Sequence, residues 1–186
     1  MKTLFRSLLA SIPALFLYLA VLPWAALGLD HRLGLIWHLP GWIEPVSGLL
    51  VLAGAGLGAW SFWELTIRGK GTPNPLFPAA RLVQGGPFRY SRNPLMLGGW
   101  LCGAGLAGLL RSPCLLWGVG LLVAGGMLYV RRVEEPGLLA RFGGAWQRYA
   151  ARTPRWVVLA VIAGIMLAGL PALTKESEVV HVSGER

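Results

Sequence analysis

At 186 residues, with 55% hydrophobic side chains, 13% charged ones and a mean hydropathy of +0.59, the chain is more apolar than a soluble domain of its size, and the bilayer is its expected solvent. The net charge of +9 sits in loops between apolar runs with no basic fold or aromatic motif for bases, so it is read as a topology signal and nucleic acid is not an expected partner. The two cysteines, Cys102 and Cys114, stand singly in apolar runs without the paired spacing of a zinc or redox motif, and no metal is expected.

Five apolar runs, at 8–29, 47–65, 95–110, 113–130 and 157–173, predict an all-α polytopic membrane bundle of about five transmembrane helices in one membrane domain. Residues 1–66 form a two-helix preface. Its basic start and Ala26-Leu27-Gly28 mimic a cleavable signal peptide, but the stretch is long for one and four more runs follow, so an uncleaved helix is expected. The intervening loop holds Asp30, His31, His38 and Glu44, which lack a compact ligand spacing and are read as solvated interfacial groups.

Residues 67–156 form the core. From Arg68 to Pro94, five prolines (Pro73, Pro75, Pro78, Pro87, Pro94) forbid a long helix and predict short pieces along the interface. Leu76, Phe77, Leu82, Val83 and Phe88 are expected to dip into lipid or pack beneath the bundle. The third and fourth runs are joined by little more than Arg111-Ser112, with Pro113 suited to a first helical turn, and so form a tight antiparallel hairpin. Glycines line both arms and permit close backbone approach; Gly103-Ala-Gly105 serves packing alone, or packing plus room for a ligand. Residues 131–156 predict a continuation of the fourth helix, a break near Pro136 or Gly143-Gly144, and an amphipathic interfacial helix ended by Thr153-Pro154. An additional helix at 157–173 and a polar tail at 174–186 complete the chain.

Thirteen of the seventeen cations fall on one side of this alternation: Lys2 and Arg6, then Arg68, Lys70, Arg81, Arg89 and Arg92, then Arg131, Arg132, Arg141, Arg148, Arg152 and Arg155. The positive-inside rule makes that face cytoplasmic, with the amino terminus inside and the tail outside, in a multi-pass protein of a bacterial inner membrane. Glu134 and Glu135 stand at the same end, either hydrated and paired with arginines or recruited to a site. Arg89, Arg92, Arg152 and Arg155 carry the same two readings.

The sequence GKGTPNP at 69–75, LVQGGPFRYSRNP at 82–94 followed by Gly98, then Glu134-Glu135, Phe142-Gly143, Tyr149 and Arg152-Thr-Pro154 resembles the isoprenylcysteine carboxyl methyltransferase and phospholipid methyltransferase families, in order, over about half the chain. The resemblance implies an integral membrane enzyme that moves a methyl group from S-adenosylmethionine to a lipophilic acceptor, with membrane lipids as its surroundings. It places Gly103 and Gly105 against the donor, Glu134 or Glu135 on the donor's cationic or hydroxyl-bearing part, and Arg89 and Tyr90 among the donor contacts. Arg152, Arg92 and Asn93, with Pro94, fall on motif positions that place the donor or acceptor. Two departures stand out: Leu95-Met96 stand where the family commonly has a tyrosine after its Arg-His/Asn-Pro-Met, and Asn93 replaces the histidine of many relatives, which weakens a general-base assignment there. Acceptors from a prenylated cysteine carboxylate to a phospholipid amine or a smaller thiol or isoprenoid stay open.

Two other classes compete. A nicotinamide-dependent membrane reductase would need a dinucleotide glycine fingerprint after a strand, which the chain does not carry. A non-catalytic assembly factor or small transporter would explain glycines and charge, but has no need of ordered polar motifs at one interface and would want more charge within its spans.

Overall fold

A computed structural model describes residues 12–13, 15–71 and 79–156; the expected helix at 157–173, the tail, Lys2, Arg6 and the prolines Pro73, Pro75 and Pro78 lie outside the described residues. A π-helical turn, Leu17–Val21, leads into α1 (Leu22–Leu33), followed by α2 (Ile43–Ile67), a 3-10 turn (Gly86–Arg89), α3 (Pro94–Leu109) and α4 (Pro113–Tyr129). A second π segment, Val130–Glu134, joins α4 to α5 (Glu135–Phe142), and α6 (Gly144–Arg152) follows. No strand occurs among the described residues.

Proline sets several of these boundaries. Pro94 and Pro113 occupy the first turns of α3 and α4, where a missing N–H is harmless. Each π segment lies just ahead of a proline, Pro23 or Pro136, whose ring would clash with the carbonyl four residues back; widening the preceding turn accommodates it without breaking the helix. The helix therefore runs unbroken from Pro113 to Phe142, and the expected break falls at Gly143, not at Pro136. Gly143 has φ +51° and ψ −129°, a conformation that a residue with a Cβ rarely adopts.

Among the described residues two helices, Ile43–Ile67 and Pro113–Phe142, are long and apolar enough to cross a membrane. The pattern of α2 is inverted relative to a water-soluble helix. Its buried residues are Ser47, Gly54, Ser61, Glu64 and Thr66, whereas Leu49, Leu52, Trp60 and Trp63 point outward. Hydrocarbon around the bundle removes the reason to hide large apolar groups and favours small ones between helices. Ser47, Gly54 and Ser61 recur every seven residues, and α3 answers with Gly98 and Gly105 at the same interval. A Cβ on Gly54 would stand 2.5 Å from the Gly98 carbonyl oxygen, and one on Gly105 would stand 2.6 Å from that of Ser47. The α2 and α3 backbones thus touch along their length. On its other face α3 contributes Leu97, Trp100 and Leu101 to a core with Val119 and Val123 of α4, against which Trp156 packs with its ring 4.7 Å from that of Trp100.

At the hairpin end Asp30 has an unexpected role. It lies in the last turn of α1, not in a loop, and is buried. One carboxylate oxygen accepts from the Ser112 hydroxyl and the other from the Cys114 backbone N–H at 3.0 Å, while Ser112 Oγ accepts from Leu115 N at 3.1 Å. Asp30 and Ser112 together cap α4, satisfying its first free N–H groups and opposing the positive end of its dipole. Asp30→Ala leaves these donors buried without acceptors and is expected to destabilise the protein by about 2 kcal/mol, read as a lower thermal midpoint in detergent; Asp30→Asn should lose less. A midpoint unchanged by Asp30→Ala would show that the cap contributes nothing.

Candidate functional site

The other end of the bundle, where α2 finishes and α3 begins, is crossed by the segment leading to Pro94. Val83 and Phe88 are buried there, beneath the bundle. From Phe88 onward this segment is laced to residues 149–155. The Tyr149 hydroxyl donates to the Phe88 carbonyl at 2.7 Å, Ser91 Oγ donates to the Arg155 carbonyl at 3.0 Å, and the Arg92 backbone N–H donates to the Pro154 carbonyl at 3.0 Å. Ser91 Oγ also accepts from the Asn93 N–H at 3.2 Å. Burial pushes the Tyr149 phenol well above its usual range, with the nearby Arg92 charge opposing.

These ties seat two arginines on one carboxylate. Arg92 Nη1 lies 2.7 Å from Glu135 Oε1; Arg155 grips the same group with Nε at 2.8 Å from Oε1 and Nη2 at 2.5 Å from Oε2. The Arg92 and Glu135 side chains are each only 13% exposed, which places their pairing among the partly desolvated ones that matter energetically. The hydrogen bonds to Glu135 raise the Arg155 guanidinium above its ordinary range. The Arg92 guanidinium also stands 5.9 Å from the centre of the Trp146 ring.

Of the residues expected from sequence, the structure brings together Arg92 and Glu135. Asn93 is the N-cap residue of α3 and is buried, but its side chain makes no cap bond; its Nδ2 and the Nε of Arg92 are buried donors without acceptors. Glu134 is half-buried and its carboxylate forms no hydrogen bond or ion pair among the described residues. Arg89 and Tyr90 are exposed, and Arg152 is exposed on α6 with no side-chain partner among the described residues. Arg155, three residues on, reaches Glu135 alongside Arg92.

Gly103 and Gly105 stand elsewhere. Gly103 lies nine residues into α3, about 14 Å along the axis from Pro94. Its Cα face is filled by the Tyr18 hydroxyl and Val119, and that of Gly105, on the opposite side of the helix, by the α2 backbone at Ser47 and Val51. Both are occupied by protein packing and neither joins the Arg92–Glu135 cluster. Gly103 does border an apolar cleft of about 430 Å³ between α1, α3 and α4, lined also by Tyr18, Leu22, Leu29, Leu115 and Val119.

Sequence reasoning missed Glu64, buried in the last turn of α2, and did not separate Arg155 from the topological cations. A carboxylate closing an apolar run is a signal for the first. For the second, only the reversal at Thr153-Pro154 distinguishes Arg155 from its neighbours.

A donor carrying an ammonium, a carboxylate and hydroxyls calls for charged and hydrogen-bonding partners; residues at this end carry such groups, whereas the faces of Gly103 and Gly105 are filled by protein. Among the described residues the Glu134 carboxylate and the Arg152 guanidinium have no hydrogen bond or ion pair, while Glu135, next to Glu134 in the chain, is taken by two arginines. A family model described as phospholipid methyltransferase matches residues 43–145, from the start of α2 into α6, more than half the chain. That stretch contains Arg92, Asn93, Glu134 and Glu135 and stops short of Arg152 and Arg155. No curated protein and no solved structure matches the chain.

Proposed function

This chain belongs to the phospholipid methyltransferase family, and from that premise we propose that it transfers a methyl group from S-adenosylmethionine to a lipophilic acceptor at the basic end of the bundle. The observation that carries the reading is the Arg92–Glu135–Arg155 cluster, which fixes one carboxylate rigidly and leaves its neighbour Glu134 free for a ligand. When bound, the donor supplies an already activated methyl carbon. What remains for the protein is alignment and exclusion of water, for which rigid positioning matters more than a strong nucleophile.

Glu134 is placed to receive the donor's ammonium or ribose hydroxyls through charge-assisted hydrogen bonds. Arg152 presents a planar fork suited to a carboxylate or phosphate on donor or acceptor. Asn93 and the Arg92 Nε add two more donors at the same end. The apolar cleft beside Gly103 offers room for the acceptor's hydrocarbon tail. The family match favours a phospholipid-like acceptor over a prenylated cysteine.

The test is binding of radiolabelled S-adenosylmethionine to the purified protein in lipid nanodiscs, competed by S-adenosylhomocysteine, followed by a screen of lipid extracts for label transfer. Saturable, competed binding and a labelled lipid are expected. Absence of both would end the methyl-transfer reading.

Within it, Arg152→Lys keeps the charge but loses the two-pronged geometry, and methyl transfer is expected to fall about tenfold, the equivalent of ~1.4 kcal/mol in the transition state. Arg148→Lys, on the same helix, should be silent. Equal rates for parent and both variants would reduce Arg152 to an interfacial charge.

Eleven Lys and Arg gather at the site end among the described residues against two, Arg32 and Arg111, at the other, and on that asymmetry we place the site in the cytoplasm of a multi-pass inner-membrane protein. In a background with Cys102 and Cys114 replaced by alanine, Gly137→Cys should resist an impermeant maleimide in intact cells and react after lysis. Labelling from outside would invert the topology.

A further inference from the structure

Glu64 is a buried carboxylate that the cluster above does not use. It is 6% exposed at the end of a helix whose outward face is apolar. A carboxylate so placed needs compensation. Arg68, one turn on, supplies part of it: Nε lies 3.2 Å from Glu64 Oε2 but is not aligned to donate, so that oxygen has no hydrogen bond among the described residues, and the Arg68 side chain is 65% exposed.

The pair is covered by the Gly85-Gly86 backbone. A Cβ on Gly86 would fall 2.9 Å from the Glu64 carboxyl carbon, and one on Gly85 would fall 2.8 Å from Arg68 Nη1. Gly86 has φ +57°, which favours glycine independently of the contact. It opens the 3-10 turn whose next residues are Phe88, bonded to Tyr149, and Ser91 and Arg92, bonded to residues 154–155. The α2–α3 contact points the same way. Gly58 meets Gly98, so in antiparallel helices Glu64, six residues beyond Gly58, lies toward the start of α3, which Arg92 precedes by two residues.

We propose that Glu64 is a positioning residue: the Glu64–Arg68 pair supports the Gly86–Arg89 turn and thereby fixes the seat of Arg92 on Glu135 and Trp146. Only its consequence for turnover rests on the methyl-transfer reading. The glycine pair is then required for two reasons, backbone conformation and room for the carboxylate, and the two separate in a mutant cycle.

The experiment is ¹⁹F NMR of protein carrying 5-fluorotryptophan, with the Trp146 resonance assigned through Trp146→Phe, alongside donor binding and initial rates. Glu64→Ala and Gly86→Ala should each shift the Trp146 resonance while leaving Trp117, on the outer face of α4, in place. The double variant should shift it by less than the sum, because removing the carboxylate makes room for the new methyl. The Glu64→Ala turnover number should fall tenfold or more with the donor dissociation constant unchanged within about twofold. Should Glu64→Ala also move Trp117, Glu64→Gln, which fills the same space without the charge, takes its place. A Trp146 resonance unmoved in the folded variants overturns the proposal whatever the rates, and a shifted one with undiminished turnover overturns the link to catalysis. A shifted resonance in a protein whose parent methylates no lipid supports the positioning role and sinks the methyl-transfer reading instead.

Discussion

Glu135→Ala is expected to reduce methyl transfer by at least a hundredfold and to lower stability by about 3 kcal/mol, the largest effect of any single substitution at the site. The reason is the number of bonds that converge on this carboxylate. It accepts from Arg92 once and from Arg155 twice, and both arginines are anchored by their own backbones to the opposite segment. Removing it leaves two guanidinium groups facing each other without an anion, one of them only 13% exposed, so repulsion adds to the lost bonds. A loss of that size should lower the thermal midpoint by several degrees, at about 2–4 °C per kcal/mol for a chain of this length. Glu135→Gln keeps the volume and one acceptor but turns an N–H₂ toward an arginine, and should fall between parent and alanine. A midpoint within two degrees of the parent together with a rate above one third of it would show that the cluster is ornamental to both fold and chemistry.

The helices were largely legible because apolar runs in this chain are closed by cations and prolines. The run at 95–110 corresponds to α3 and that at 113–130 to α4, within a residue at each end, and Pro113 opens its helix as its fixed φ predicts. Other features depend on partners far away in sequence. Asp30 and Ser112 are 82 residues apart, and nothing local marks Asp30 as the cap of a later helix. Glu134 and Glu135 are adjacent and alike in sequence, yet the helix turns about 100° between them, and only the turned structure shows which one meets the arginines. The same geometry bears on Gly103 and Gly105. Two residues apart on a helix means about 200°, so the pair faces two ways, toward Tyr18 and toward α2. Proline both hid and revealed: Pro136 signals a break that a π turn absorbs, while Thr153, extended ahead of Pro154, ends α6 just before Arg155.

Glu134→Gln should give the reverse signature of Glu135→Ala, weaker donor binding with no loss of stability. The Glu134 carboxylate has no partner to lose among the described residues, and the like charge of the neighbouring Glu135 acts on it, so neutralising it relieves repulsion and should leave the midpoint unchanged or slightly higher. If Glu134 holds the donor's ammonium or ribose, the amide forfeits one charge-assisted hydrogen bond, about 1.5–3 kcal/mol, equivalent to roughly a tenfold to hundredfold rise in the donor dissociation constant. Turnover at saturating donor should fall far less, because Glu134 is assigned to binding and not to the reacting atoms. Equilibrium binding and thermal melts on the same preparation separate the two carboxylates. Donor affinity equal to the parent would remove Glu134 from the donor site, and a midpoint that drops as far as that of Glu135→Ala would show that both acids serve the fold.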